Sequence, residues 1–96
     1  MHDEAPLTIR DDREASRFEA VDESGVVAGF AAYRRSPDRI VFTHTVVDDA
    51  FEGHGVGSTL VREALDAVRG EGLRVVPQCP FVKEFIGRHP EYADLT

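Results

Sequence analysis

Hydrophobic positions between residues 16 and 47 fall into short runs that polar turn residues interrupt. Three segments rich in β-branched and aromatic residues run from Ser16 to Asp22, from Gly25 to Arg35 and from Arg39 to Val47. The turn-forming stretches Glu23-Ser24-Gly25 and Ser36-Pro37-Asp38 separate them. Because such short connections join antiparallel neighbours, the pattern predicts a three-stranded antiparallel meander.

The hydrophobic period then lengthens to that of a helix. Over residues 56–69 apolar side chains recur at spacings of three and four, and charged side chains take most positions between them. Gly70 and Gly72 follow directly, and glycine commonly ends a helix. The pattern therefore predicts an amphipathic helix over residues 56–69.

A short strand and a second helix complete the predicted elements. Residues 73–76 predict a strand, and Pro80 suits the first turn of a helix that ends around Gly87. Its predicted apolar face is Phe81, Val82, Phe85 and Ile86. Since strand, helix and strand in succession form a right-handed crossover, residues 39–47 and 73–76 should be parallel neighbours. The predicted fold class is α/β (α+β): a three-stranded meander, a helix, a parallel strand and a C-terminal helix.

The first residues lack this periodicity. Residues 1–14 contain Pro6 and five acidic side chains, and they predict a loosely held arm with order beginning near Ser16. With 96 residues, 42% of them hydrophobic, the chain suffices for one core and is too short for two. We therefore expect a single domain over residues 1–96.

Charge and composition exclude several classes of partner. A net charge of −7 argues against nucleic acid, because phosphate contacts need clustered Lys and Arg. No apolar run approaches the ~20 residues of a membrane span, and the N-terminus lacks the apolar region of a signal peptide. The single Cys79 cannot form an internal disulfide, and the histidines show no metal-ligand spacing. These features predict a cytoplasmic protein without a membrane partner or a metal.

A glycine-rich turn precedes the first predicted helix. In Glu52-Gly53-His54-Gly55-Val56-Gly57 the alternating glycines allow positive φ and close approach of a ligand to the backbone. Unpaired amides at a helix N-terminus favour an anion such as a diphosphate. Glycines that merely form a tight strand-to-helix turn are the alternative. Gly57-Ser58-Thr59 lacks the Walker A lysine, and the G-x-G-x-x-G spacing of dinucleotide folds is absent, which excludes ATP or NAD sites of those kinds.

The same turn resembles the Arg/Gln-x-x-Gly-x-Gly/Ala signature of GNAT acetyltransferases. The chain from residue 16 to 96 looks like their short, single-domain N-acetyltransferase-like (YjdJ-type) branch. The matching segments are His44-Thr45, Phe51 to Ser58, Pro77 to Val82 and His89-Pro90-Glu91-Tyr92. The resemblance implies that acetyl-CoA or coenzyme A (CoA) binds with its pyrophosphate on the turn amides of Glu52, Gly53, His54, Gly55, Val56, Gly57 and Ser58. It also implies that pantetheine pairs with the backbone near Val46 and Val47.

The sequence departs from the family pattern in two ways. Glu52 stands where Arg or Gln is usual, which removes a cation or an amide from the neighbourhood of the phosphates. The family fold also has two helices after its first strand that help to form the wall of the acceptor site, and this chain has no room for them. Its acceptor side is therefore open, completed by a partner, or absent.

Two residues are candidates for the chemistry of acetyl transfer. His44 has a pKa range suited to a general base, although its alternation with Phe42 also fits a structural histidine. Cys79, with Pro80 as the first helical residue, would lie at a helix N-cap that favours a thiolate. This allows an acyl-enzyme route through Cys79 or a contact to the thiol end of CoA, although a small buried core residue is the alternative. Either Tyr33 or Tyr92 could protonate the departing thiolate, but nothing in the sequence places their hydroxyls.

These observations lead to three hypotheses from different classes. The first is an acetyl-CoA-dependent N-acetyltransferase in which an amine attacks directly, with His44 as base and the Val46–Val47 backbone as oxyanion donor. The second is a CoA or acyl-CoA binding module without efficient turnover. The third is a small interaction protein whose glycine turn is structural. The acceptor, a small-molecule or protein amine, and the oligomeric state are not set by the sequence.

Overall fold

The sheet has five strands in chain order. The computed structural model describes residues 7–96. Its strands are β1 (Thr8–Asp12), β2 (Arg17–Val21), β3 (Val27–Arg35), β4 (Arg39–Val47) and β5 (Arg74–Pro77). The first four pair antiparallel, and β4 pairs in parallel with β5. The predicted meander and the parallel crossover are confirmed, and a fourth strand is added at the N-terminal edge of the meander.

Two α-helices and two short 3₁₀ segments complete the described fold. The α-helices are α1 (Val56–Glu71) and α2 (Pro80–Arg88), and the 3₁₀ segments are Asp49–Phe51 and Pro90–Leu95. Both predicted helices are confirmed. The first extends two residues further than predicted, because Gly72, at φ +74°, forms its left-handed cap. None of these helices is both long and apolar enough to span a membrane.

Both helices pack on one face of the sheet and share one core with it. The apolar stripe of α1 is buried, and it includes Leu60, Leu65 and Val68. The hydroxyl of Tyr92, in the C-terminal 3₁₀ segment, donates to Asp66 of α1 at 2.8 Å. The described helices therefore leave the opposite face of the sheet uncovered.

The expectation of a loose arm over residues 1–14 is wrong for β1. Asp11 accepts hydrogen bonds from the Tyr33 hydroxyl and from Arg35, the latter at 2.7 Å, and Arg35 also pairs with Glu71 at the end of α1. The acidic side chain that looked solvated in the sequence thus joins β1 to β3 and α1. Residues 1–6 lie outside the described residues.

A β-bulge interrupts the pairing of β3 with β4. Ala32 lies opposite His44, whereas the next residue, Tyr33, lies opposite Phe42, so Thr43 has no partner. Because side chains of a strand alternate between faces, one extra residue exchanges the faces of the residues that follow it. Before the bulge Ile40 and Phe42 face the helices, and after it the odd-numbered residues Thr45 and Val47 do so.

On the face of the sheet opposite the helices, one carboxylate is buried beside two arginine side chains. Glu19 is only 2% exposed, and its two oxygens accept hydrogen bonds from Arg10 at 2.8 Å and Arg17 at 2.7 Å. The Arg17 guanidinium also lies 4.4 Å above the Phe30 ring. Burial raises the pKa of Glu19, but the hydrogen bonds and charges of the two arginines outweigh it and lower the pKa below its usual range.

This arrangement predicts how stability depends on pH. A carboxyl with a depressed folded pKa stabilises the fold fully above its unfolded pKa of ~4.3, and this contribution is lost as pH falls through the folded value. We expect Glu19→Gln to lower the free energy of unfolding by about 1–2 kcal/mol at pH 7, because it removes the charged acceptor of two arginines that are themselves partly exposed. The difference in free energy of unfolding between Glu19→Gln and wild type should become smaller below about pH 4. Urea unfolding between pH 7 and pH 3 measures both effects.

The matched control is Glu63→Gln. Glu63 is exposed on α1 and has no ion-pair partner among residues 7–96. Its substitution should change the free energy of unfolding by less than about 0.5 kcal/mol at every pH. A gap between wild type and Glu19→Gln that stays constant down to pH 3 would contradict the assignment.

Candidate functional site

A cavity of about 400 Å³ lies where β4 ends and α1 and α2 begin. This volume falls within the range of small-molecule sites. The lining residues are Thr45, Val47, Phe51, Glu52, Gly53, Gly55, Val56, Gly57, Ser58 and Phe81. Seven of the nine residues predicted to bind the cofactor are among them. The exceptions are Val46 and His54.

The glycine turn is built by two different constraints. Gly53 and Gly55 have φ of +84° and +73°, and Gly55 is the N-cap of α1. Residues other than glycine rarely adopt a backbone conformation with such a positive φ. Gly57 already lies inside the helix, where an added Cβ would come within 2.7 Å of the Phe81 ring. The third glycine therefore lets the Phe81 ring pack closely against the helix, and it does not serve the backbone conformation that the sequence pattern implied.

The start of α1 presents free hydrogen-bond donors to the cavity. The first helical bond runs from the Thr59 amide to the Gly55 carbonyl at 3.0 Å. The preceding amides of Val56, Gly57 and Ser58 have no acceptor among the residues that the structure describes. Neither a capping side chain nor an acidic residue occupies the first turn. Unpaired amides at the positive end of a 16-residue helix form a site for an anion.

β4 extends past the end of β5, which leaves a gap beside this helix terminus. β4 and β5 pair only from Arg39 opposite Arg74 to Phe42 opposite Pro77. On the other side of β4, the Asp48 amide donates to Ala28 at 2.8 Å. Since hydrogen-bonded residues alternate along an antiparallel ladder, the backbone groups of Thr45 and Val47 point away from β3. They face the gap between β4 and β5, where an extended ligand could pair with them.

The same register corrects the prediction for Val46. Its partner across the ladder is Phe30, and its backbone bonds to β3 by the same alternation. Its side chain is 43% exposed and lines a smaller cavity of about 170 Å³ on the uncovered face, together with Phe30 and Arg17. Of the predicted pair, Val47 thus lies at the main cavity, and Thr45 takes the place that Val46 was given.

The bulge also separates His44 from the cavity. The predicted alternation placed His44 on the face of Phe42, but the extra residue Thr43 turns it to the uncovered face. There its ring meets the Phe30 ring edge-on, at 6.0 Å between centroids, and its Nδ1 lies 3.3 Å from the Thr43 hydroxyl. The structure does not bring His44 together with the glycine turn.

Cys79 is placed as predicted at the N-cap of α2, but it is buried. The residue is 2% exposed, and its thiol makes no capping hydrogen bond to the helix. Its sulfur lies 3.3 Å from the hydroxyl of Thr45, which lines the cavity. Contact between the thiol and the cavity therefore passes through Thr45.

Three lining residues were missed by the sequence analysis, and one of them was assigned to the core. Phe81 is 41% exposed, and its ring packs against Gly57 at the wall of the cavity. Phe51 and Thr45 complete the set. For Thr45 the sequence did hold a signal, since it belongs to the segment His44-Thr45 that carried the family resemblance.

The lining carries a single ionisable side chain, that of Glu52. A carboxylate beside an anion site weakens binding by like-charge repulsion. The two tyrosine hydroxyls are committed elsewhere, Tyr33 to Asp11 and Tyr92 to Asp66. Binding at this site would therefore depend on backbone amides and apolar contacts.

Known structures share this architecture. A GCN5-like protein from Staphylococcus aureus, solved by NMR, superposes with a TM-score of 0.65 over 98% of this chain and 89% of its own, at 23% identity. Ard1 from Thermoplasma volcanium superposes with a TM-score of 0.54 at 26% identity, over 69% of this chain and 45% of its own. The first likeness shows the fold, and the second extends it to part of a larger chain.

Sequence comparison finds relatives of this chain and a family model that matches it. Protein NATD1 of Bos taurus is 30% identical over 86 residues, which cover 88% of this chain and 76% of NATD1. Protein NATD1 of Mus musculus is 28% identical over the same length. The family model described as GCN5-related N-acetyl-transferase matches residues 17–95. Because this model covers most of its length, the chain belongs to the GCN5-related N-acetyltransferase family.

Proposed function

We propose that the protein is an acetyl-CoA-dependent N-acetyltransferase that transfers acetyl to an amine. The observation that carries this proposal is the uncapped N-terminus of α1. Its amides face a cavity that is bordered by the part of β4 beyond the end of β5. One part of the cavity suits a diphosphate, and the other suits an extended chain that needs backbone partners. CoA combines both features.

The residues present fit this cofactor at three places. The amides of Val56, Gly57 and Ser58 would hold the pyrophosphate, and the backbone of Val47 and Thr45 would pair with the amides of pantetheine. The exposed ring of Phe81 offers an apolar wall. Glu52 is the exception to this fit, because its charge opposes that of the phosphates.

The acceptor side is open in the described part of the chain. Residues 13–16 alone connect β1 to β2, so no helix covers the sheet between these strands. An amine carried by a small molecule or by a protein could reach the gap between β4 and β5 from the uncovered face. His44 lies on that face and could accept the proton of an amine that approaches there.

Use of acetyl-CoA and a reduced Cys79 fit a cytoplasmic site of action.

A CoA or acyl-CoA binding module is the second candidate. It is favoured by the absence of a titratable group other than Glu52 from the cavity lining, and by the engagement of both tyrosine hydroxyls in the fold. Release of the CoA thiol from acetyl-CoA in the presence of primary amines distinguishes the two candidates. Binding without release would favour the module.

The anion site predicts that one substitution separates folding from binding. Ser58→Asp adds a carboxylate to the first turn of α1, where it should stabilise the helix by about 0.3–1 kcal/mol. The same charge should repel the pyrophosphate and abolish CoA binding. Wild type at ~100 times its dissociation constant should gain roughly 2.7 kcal/mol, which raises the melting temperature by about 10 °C or more. Thermal unfolding with and without CoA measures both quantities.

Ser58→Ala is the matched control, since it alters the same position without adding charge. It should melt near wild type and keep the response to CoA. If Ser58→Asp retained the full ligand-induced shift, the helix terminus would not be the anion site. No shift of wild type at millimolar CoA would defeat the proposed function itself.

Glu52 gives a prediction in the opposite direction. Glu52→Gln removes the like charge beside the phosphates and should tighten CoA binding several-fold, on the order of 0.5–1 kcal/mol. The effect should shrink as salt is added, because screening already weakens the repulsion. Calorimetric titration at low and high salt tests this, with the exposed Glu63→Gln as control. Equal affinities of wild type and Glu52→Gln at low salt would place Glu52 outside the influence of the ligand.

A further inference from the structure

Thr45 connects the cavity with the buried thiol. The bulge at Thr43 turns the Thr45 side chain to the helix face, where it lines the cavity and its hydroxyl lies 3.3 Å from the Cys79 sulfur. Among the described residues that line the cavity, no other side chain makes a hydrogen bond to Cys79. The structure thus gives Thr45 the cavity position that sequence alternation would have given to His44.

The backbone around Cys79 is held firmly. Its amide donates to the Phe42 carbonyl at 2.9 Å, and its carbonyl accepts from the Lys83 amide at 2.9 Å. Its thiol has one polar contact in the described part of the chain, the Thr45 hydroxyl. A hydroxyl has one proton and two lone pairs. If the thiol donates to Thr45, the hydroxyl proton is free to point into the cavity.

We propose that the Thr45 hydroxyl is a catalytic residue that donates a hydrogen bond to the sulfur of CoA as acetyl leaves it, and that Cys79 is a positioning residue that orients this hydroxyl. This inference rests on the proposed function and assigns a residue to one step of it. It also gives Cys79 a role that requires neither exposure nor an acyl-enzyme.

The step balances without proton loss from Thr45. The nitrogen of a neutral amine attacks the carbonyl carbon of the thioester, the C–N bond forms, and the C–S bond breaks with its electron pair on sulfur. The hydroxyl of Thr45 stabilises the developing thiolate by a charge-assisted hydrogen bond. The nitrogen then releases one proton to water, and the CoA thiolate takes one proton from water.

Other candidate donors are less well placed. The Tyr33 hydroxyl donates to Asp11 on the edge strand, and the Tyr92 hydroxyl donates to Asp66. Glu52 belongs to the glycine turn, and its negative charge would oppose a thiolate. The Ser58 hydroxyl also lines the cavity, but it lies in the first turn of α1, where the pyrophosphate would bind. Thr45 is left as the side-chain donor at the β4 edge of the cavity, beside the backbone that would pair with pantetheine.

The test measures acetyl-CoA affinity and turnover separately. Calorimetry gives the dissociation constant, and thiol release from acetyl-CoA with hydroxylamine as a small nucleophile gives the turnover rate. Thr45→Val keeps the shape of the side chain and removes its hydroxyl, so it should lower turnover by ~100-fold with an unchanged dissociation constant. Thr45→Ser keeps the hydroxyl and should stay within a few-fold of wild type.

Variants of Cys79 test its positioning role. Cys79→Ser keeps a donor to Thr45 and should remain close to wild type, whereas Cys79→Ala should lose about tenfold in turnover. The double variant Thr45→Val/Cys79→Ala should be no slower than Thr45→Val, because Cys79 acts through the hydroxyl. Thr8→Val removes a hydroxyl from an exposed position of β1, away from the cavity, and it should leave turnover unchanged.

Several results would overturn the inference. Full turnover by Thr45→Val would remove Thr45 from the chemistry. Loss of turnover in Cys79→Ser, with an acetyl-sized mass increase on wild type, would establish an acyl-cysteine route. Wild type that binds acetyl-CoA without turnover would refute the inference and favour the binding module, whereas absence of binding would refute the proposed function as well.

Discussion

A single extra residue in β4 sets the geometry of the cavity. Up to Phe42 the strand follows simple alternation, with its even-numbered side chains in the core and its edge bonded to β5. The unpartnered Thr43 exchanges the two faces, so that the odd-numbered residues that follow point to the helices. β4 and β5 lose their pairing at the same level. The bulge and the gap between the strands together bring Thr45 and Val47, rather than His44 and Val46, to the cavity.

The second constraint is the set of unpaired donors at the start of α1. A helix terminus normally satisfies some of its free amides with a capping side chain. Here the N-cap is Gly55, which has no side chain to offer, and its φ of +73° suits glycine. The fold leaves these amides open in a cavity whose lining carries one charge, that of Glu52. Binding of an anionic ligand would supply the missing partner.

Much of this architecture follows from the sequence, because periodicity and turn residues act locally. The period change at Val56, the cap at Gly72 and the proline at the start of α2 all predict elements that the structure contains. The glycine turn was predicted for the same reason. These features need no knowledge of distant contacts.

The remaining features depend on partners far away in the sequence. β1 is held by its pairing with β2 and by the ion pair of Asp11 with Arg35, and no local pattern reveals the ion pair. A bulge inserts one residue without changing composition, so the face of His44 could not be read from alternation. Phe81 has the spacing of a core residue, but its ring packs against Gly57 at the wall of the cavity and stays partly exposed. Each of these differences concerns contacts between elements that are distant in the sequence, and such contacts determine the geometry of the site.

The central claim is that CoA binds at the start of α1 and along the free edge of β4. Two-dimensional ¹⁵N–¹H NMR of the labelled protein during titration with CoA tests it most directly. The account predicts that the amide signals of Val56, Gly57 and Ser58 shift most strongly, together with those of Thr45 and Val47, while Phe30 and Arg17 on the uncovered face change little. Shifts confined to that uncovered face, or none at saturating CoA, would contradict the account.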